Sequence, residues 1–404
     1  MGVADPPAVV ARATTRLAIL VFGSVLSGTV LIPAVRPLCA ALYPGHPGAA
    51  HAFLTMAVLG GVIGGPLLAA RADRRGQAAR LAIAASALDG ALLLALVLVP
   101  SYPLALMVRA LQGAAAVGAL AIIMGASPPG EAGQRGAVLG AALVAAVAVG
   151  SPLGLALLTI DPRATLVAGG ALQLAVAAAL VVGGLPARRP RATTARPRLG
   201  PTVLRAVLWV GAERVAVGGF VVTFALWGHD TRGLSDRHVG ALVACLVVAF
   251  ALSTYPLGAL AGRIAPARIA RAGLVAVAAG FALLAAVPVA ALPLVLIVAG
   301  VGTGAIYGSA MAVVVRDAAV ERSATAMGVL HAVGSAGMLI GTAGAGLGSA
   351  ALRAHDPTLA PGPIVFLGAA AVQLVVAVLA TGRPTAAAAP VGAAPGGLPC
   401  PKSA

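Results

Sequence analysis

An all-α membrane protein of twelve transmembrane helices, arranged as two pseudo-symmetric six-helix halves, is the fold class this 404-residue sequence predicts. Four observations predict it. Hydrophobic residues make up 60% of the chain and charged residues only 9%, where a soluble domain carries about 25% charge. The apolar residues fall in long continuous runs, not in the short alternating segments of a barrel. At ~20 residues per span plus short loops, the length holds about twelve such helices. Finally, the basic residues distribute unequally between alternate loops.

The elements follow in order. Met1–Arg16 is a polar leader carrying Arg12 and Arg16. Leu17–Val35 is too long for a signal-peptide core and more runs follow at once, so it is span 1. Span 2 covers about Ala50–Ala70. The basic loop RADRRGQAAR leads to span 3, about Leu81–Val99, and Pro100–Pro103 turns the chain into span 4, about Leu104–Met124. Gly125–Arg135 is a loop holding Glu131. Span 5 covers about Gly136–Leu158 and span 6 about Ala164–Leu185. Pro186–Arg205 then carries six arginines and four prolines, too polar to span and too rich in proline for a regular helix. It reads as a linker between the halves. Span 7 runs about Ala206–Trp227, span 8 Val239–Leu260, span 9 Ile269–Val287, span 10 Leu292–Val315, span 11 Ala324–Leu347 and span 12 Ile364–Ala380. The Ala/Pro/Gly-rich tail is expected to be disordered. The domain division is a leader 1–16, an N-terminal half 17–185, a linker 186–205, a C-terminal half 206–381 and a tail 382–404.

Charge tests this layout. The leader, the linker, the tail and the loops on their side hold about four times as many basic residues as the opposite loops, which carry Arg36, Arg163, Arg232, Arg237 and Arg353. The positive-inside rule then puts both termini in the cytoplasm. The net charge of +16 is explained by topology. It is dispersed through short loops without interleaved aromatics, so it does not imply nucleic acid. Lys402 is the only lysine, an arginine bias that suggests a GC-rich bacterial genome. Ala69-Ala-Arg71 after span 2 matches Ala261-Gly-Arg263 after span 8, a faint internal repeat of the kind transporter folds show. Cys39, Cys245 and Cys400 are far apart, and the six histidines make no HExxH or cluster, so neither a metal site nor a catalytic constellation is expected. Nor is there a phosphate-binding loop.

The motifs carry a resemblance. Arg109-x-x-Gln112-Gly113 in span 4 resembles the fourth-span RxxQG motif of the major facilitator superfamily, in its proton-coupled exporter branches. An arginine inside a span is costly, at least ~2.5–3.5 kcal/mol near the bilayer centre, so Arg109 should face protein or water. Glycines 113 and 118 allow a second helix to approach closely. The loop after span 2 resembles the superfamily's GxLaDRxGRK loop, with Asp73, Arg74 and Gly76 in register. It departs from that pattern at Ala69 and at Gln77-Ala78. Gly76 serves a short turn, and Asp73 suits the cap of a helix N-terminus across the interface between halves. Glu131, in the next loop on that side, is a further partner for the arginines. In the family this loop latches the cytoplasmic side. The second copy has Ala265 where Asp73 aligns, so the latch is asymmetric. In span 5, Gly150-Ser-Pro152-Leu-Gly154 resembles the glycine–proline element of drug and sugar exporters, where proline kinks the helix and the glycines pack on the other half. There it is tied to export.

The ionisable residues within spans are Asp89, Arg109, Glu213 and Arg214, functional candidates by default. By resemblance, spans 1, 4, 7 and 10 line a central cavity, so Glu213 and Arg109 are expected to share it, Glu213 as proton carrier and Arg109 as its electrostatic partner. A static bridge of Glu213 to Arg214 or Arg109 is the structural alternative, with Arg214 the poorer partner because neighbours on a helix point some 100° apart. Asp89 is a further coupling candidate, or a partner for Arg109. Gln173, Tyr307, His331, Ser335 and Gln373 are other polar residues within spans. Aromatics are only 3%, too few for a large aromatic cage, and Trp227 suits an interfacial anchor. The resemblance implies a monomeric transporter of the bacterial inner membrane and no enzyme. It would export a small organic molecule (drug-like, metabolite or sugar) by proton antiport, with the proton gradient as energy source and no cofactor. An uncoupled facilitator and proton-symport uptake are the alternatives.

Overall fold

The structure, a computed structural model, describes residues 7–46, 49–127, 132–185, 199–318, 322–356 and 360–379. Twelve helices within these residues are long and apolar enough to cross a membrane. They are α1 (Pro7–Thr29), α2 (Ala49–Arg75), α3 (Ala78–Ala95), α4 (Tyr102–Gly125), α5 (Ala132–Leu158), α6 (Ala164–Gly183), α7 (Pro201–Asp230), α8 (Asp236–Leu260), α9 (Pro266–Leu284), α10 (Leu292–Asp317), α11 (Ser323–His355) and α12 (Pro361–Leu379). Each is the span of the same number. After α1, a short turn at Ile32–Ala34 containing Pro33 offsets a continuation, Val35–Leu42.

Several helices run past the bounds of the sequence reading, as α2 does to Arg75 and α11 to His355, and two begin inside segments expected to be non-helical. α1 is already helical from Pro7, inside the expected leader. α7 begins at Pro201, inside the expected linker, with Gly200 before it. Proline at the first helical turn loses no hydrogen bond there, so the last linker residues join the helix they precede. Residues 186–198 of the linker and the tail from residue 380 lie outside the described residues.

Packing repeats between the halves. In the first, α1 packs on α4, α5 and α6, α2 on α4, and α3 on α4 and α6; in the second, α7 packs on α10, α11 and α12, α8 on α10, and α9 on α10 and α12. Each contact maps onto its counterpart by adding six. Between the halves, α2 meets α11 and α5 meets α8, while α4 meets α11 and α5 meets α10. These too exchange under the same operation, so the interface has an approximate two-fold axis.

Apolar side chains gain little by leaving lipid for protein, so small residues set how closely helices approach. A Cβ on Gly60 would fall on the Ala110 carbonyl, and one on Gly113 on that of Ala57. The same device joins α8 and α10, where glycines 300, 304 and 308 lie against the Leu246 carbonyl, Ser253 and the Thr254 carbonyl. Gly60→Val or Gly308→Val should therefore push two backbones apart. Overpacking of this kind costs roughly 1–3 kcal/mol or more. We expect a lower melting temperature and a loss of monodisperse protein on size exclusion; unchanged profiles would contradict the packing.

Buried glutamines tie the last helix of each half to its first. Gln173 of α6 accepts from the Ser27 hydroxyl of α1 at 3.1 Å, and Gln373 of α12 donates to the Ala212 carbonyl of α7 at 2.7 Å. The aromatics also go inward. Phe220, Phe224 and Trp227 of α7 stack with Phe281 of α9 and Phe366 of α12. Trp227, expected as an interfacial anchor, is buried against Gly362 and lies under Arg232, whose guanidinium is 4.8 Å from its ring.

Candidate functional site

One polar cluster lies at mid-height of the second half. α7 is amphipathic in an unusual sense: its apolar residues fill the half, and Glu213 and Arg214 interrupt them. Glu213 is fully buried, and its Oε2 lies 3.3 Å from Arg214 Nε. Neighbouring residues point about 100° apart on a helix, yet the long arginine side chain folds back far enough to reach. Arg214 is thus the partner of Glu213, which corrects the expectation that Arg109 would be. The Arg214 side chain keeps 20% of its surface exposed. Its guanidinium lies 5.7 Å from the rings of both Phe250 on α8 and Tyr307 on α10. Gly334 and Gly337 of α11 pass beside its stem, where a Cβ would come within 3.5 Å and 3.2 Å of it. His331, one turn earlier on α11, places Nε2 3.2 Å from the sulfur of Met124 on α4.

Arg109 belongs to a separate network in the first half. Its guanidinium donates to Gln112 Oε1, and Gln112 Nε2 donates to Asp89 Oδ1 at 2.6 Å. The ring of Phe53 on α2 covers the guanidinium, 4.8 Å from it. All three polar residues are buried. Here Asp89 balances Arg109 through Gln112, between α3 and α4, which explains why the motif spaces its arginine and glutamine three residues apart on one face. Breaking a buried charge pair by removing one partner costs roughly 3–5 kcal/mol. Asp89→Leu should therefore lower the melting temperature strongly and Asp89→Asn less, since an amide oxygen still accepts from Gln112. Equal, small effects in thermal unfolding would contradict this.

The loop after α2 closes the arginine-rich face. Gly76 turns the chain between α2 and α3 with φ +62°. Asp73 Oδ2 accepts from the backbone nitrogen of Thr325 at 2.7 Å and from its hydroxyl at 2.6 Å. Thr325 is in the first turn of α11, so an α2 carboxylate caps a helix of the other half, with the favourable charge–dipole sense. The Ser323 hydroxyl adds a bond to the Gly125 carbonyl at the end of α4, 2.7 Å long. Arg74 turns back to the Ala70 carbonyl of its own helix. Glu131 lies outside the described residues. The equivalent seam of α5 with α8 and α10 packs small residues: a Cβ on Gly258 of α8 would be 2.8 Å from that of Ala137, and Gly136 lies on the Met311 carbonyl of α10. Ala265, aligned with Asp73, is exposed. The glycine contacts that cross between halves all involve α2, α4, α5, α8, α10 and α11 near their ends at this face.

The fifth-span element packs differently from the expectation. Gly150 lies on Thr29, and Gly154 on the Val30 carbonyl and Pro33. These are the end of α1 and its turn, in the same half. The α5 glycines that face the other half are Gly136 and Gly140, nearer its start. Sequence reasoning missed Thr325 and Phe250. The hydroxyls of Ser323-Ala-Thr325 at the start of an apolar run are a helix-start signal that pointed to Thr325; nothing in the sequence singled out Phe250.

No protein-family model and no curated protein matches the sequence. Solved structures do match in shape. A crystal structure of the human organic anion transporter MFSD10 (TETRAN) aligns with a TM-score of 0.69 at 17% identity, over 93% of this chain and 100% of that one. That of a bacterial homologue of the iron transporter ferroportin, in an outward-facing state, aligns at 0.71 and 16% identity, over 91% of this chain and 97% of that one. Both likenesses span nearly the whole of each chain. The chain shares the fold of these two proteins, the major facilitator fold, with twelve helices long and apolar enough to cross a membrane.

Proposed function

We propose that this protein is a secondary active transporter that moves a small organic molecule by alternating access, coupled to protons through Glu213. The carrying observation is a fully buried carboxylate at mid-height of its helix whose ion-pair partner among the described residues, Arg214, keeps a fifth of its side chain exposed. A buried carboxylate whose counter-ion moves away is stabilised by taking up a proton. The closed arginine-rich face supports an outward-facing arrangement. By the positive-inside rule that face is cytoplasmic, with both termini there, in a bacterial inner membrane, and the protein works as a monomer. Asp73, Arg74 and Gly76 act as the gate, with Glu131 of the next loop, outside the described residues, as a further partner for the arginines, and the proton gradient supplies the energy without a cofactor.

Export of a drug-like compound, metabolite or sugar by proton antiport is the first reading, supported by the likeness of Gly150, Pro152 and Gly154 to an exporter element. It needs cargo and proton to exclude each other at Glu213. A second reading, movement of proton and cargo together, is favoured by Arg214 standing between Glu213 and the cavity. The two structural neighbours are named an organic anion transporter and a homologue of the iron transporter ferroportin, so the fold does not name the cargo. The test uses liposomes containing a pH dye under an imposed proton gradient, with lipophilic cations, antibiotics, sugars, amino acids and organic acids added in turn. One class should trigger proton movement, and its sign separates antiport from symport. Downhill flux without proton movement would mean a facilitator and overturn the coupling.

A further inference from the structure

We propose that the cavity between the halves binds a small organic anion through its carboxylate, held by Arg214, and that Glu213 takes a proton as the anion takes its arginine. This rests on the second reading above, in which proton and cargo move together, and names its cargo class.

Position comes first. Arg214 is the fourteenth residue of α7, about 20 Å along the helix at 1.5 Å per residue, close to mid-membrane. A guanidinium there must face protein or water. Its neighbours Phe250, Tyr307, Gly334 and Gly337 lie on α8, α10 and α11, the three helices of its half that meet the first half. Its exposed fifth therefore opens between the halves. The second span-interior guanidinium, Arg109, is sealed by Phe53 and occupied by Gln112.

Charge comes second. The charged or titratable groups packed around this pair are Glu213 on α7, Tyr307 on α10 and His331 on α11. Of the described carboxylates in span interiors, Asp89 is committed to Gln112 and Glu213 is buried behind Arg214. The cavity thus presents positive charge, which attracts an anion and repels a cation. The planar guanidinium fork matches a carboxylate in a bidentate way. The existing pair leaves this capacity open. The contact with Glu213 is through Nε, and the buried Tyr307 hydroxyl has no hydrogen-bond partner among the described residues.

Charge balance then sets the coupling. The empty site, Glu213 carboxylate with Arg214, has zero net charge. An anion bound alone would add one negative charge in a site of low dielectric. A proton from the aqueous cavity, added to a Glu213 carboxyl oxygen, restores zero. The guanidinium exchanges its ion pair with Glu213 for hydrogen bonds to the cargo carboxylate, and no covalent bond is made. Both forms that cross between faces are neutral, which avoids the cost of moving a net charge through a dry interface. Anion and proton therefore travel together.

Calorimetry on the full chain in lipid nanodiscs tests this, with benzoate, succinate, phenyl phosphate, benzamide and benzylamine as probes, in buffers of different protonation enthalpy. A carboxylate should bind with uptake of one proton, and its affinity should rise about tenfold per pH unit of acidification while free Glu213 is ionised. Benzamide and benzylamine should not bind. Arg214→Lys should weaken binding about tenfold through loss of the fork. Glu213→Gln should bind the carboxylate with no proton uptake and no pH dependence. Tighter binding of phenyl phosphate than of either carboxylate would overturn the carboxylate assignment. Preference for benzylamine, unchanged benzoate binding in Arg214→Lys, or silence from every anion would overturn the proposal. None of these results bears on whether the halves alternate, which the spin-label distances below decide separately.

Discussion

Asp73→Ala should open the arginine-rich face. The carboxylate accepts two hydrogen bonds from Thr325, at 2.7 and 2.6 Å, and its charge faces the positive end of α11. Such a cap contributes about 1–2 kcal/mol. It exists only while α2 and α11 are together, so its loss acts on the conformational equilibrium and not on each half. An equilibrium shift of about 5–30-fold follows. Ala137→Cys, buried in the α5–α8 seam, reports it in a background where Cys39, Cys245 and Cys400 are serine. Its labelling by a maleimide should rise about tenfold in Asp73→Ala and less in Asp73→Asn, which keeps one acceptor. Unchanged labelling would show that the small-residue seam alone holds the face closed.

Glu213→Gln should abolish proton coupling and spare exchange. The amide has the shape of the carboxylic acid but cannot release a proton, so the site is fixed in its protonated form. Arg214 loses its counter-ion and stays free for cargo. Cargo-driven proton movement should fall at least tenfold, while exchange of labelled for unlabelled cargo across the membrane continues, because exchange needs no return of the empty site. Loss of both activities in a monodisperse variant would assign Glu213 a structural role. Retention of full proton coupling would remove it from the mechanism.

The fold was legible because its determinants are one-dimensional. Run length gives the spans, and arginine asymmetry gives their sides. Gly76 and Asp73 were legible for the same reason: a turn and a helix cap are local needs, although the capped residue, Thr325, is 252 positions away. Side-chain pairing was less legible. Arg214 was set aside as a partner on helix geometry, yet its side chain is long enough to defeat that geometry. Arg109 was assigned to Glu213 because both belong to cavity-lining spans, but Asp89 and Gln112 lie on its own half's helices and satisfy it there. Gly150 and Gly154 announced a close approach without saying to which neighbour. Trp227 shows the same limit, since an aromatic near a helix end suits a membrane interface and a buried stack equally. In each case the residue type was informative, and the choice among neighbours required the tertiary packing.

Alternating access is the central claim, and distance measurement by spin labels tests it most directly. One pair, at Arg75 and Arg263, spans the arginine-rich face, one label on each half. The other, at Leu98 and Val289, spans the opposite face. In nanodiscs the two distances should each show two populations that change in opposite senses, and Asp73→Ala should enlarge the population in which the first pair is long and the second short. A single distance at both faces, unmoved by Asp73→Ala, would contradict the account.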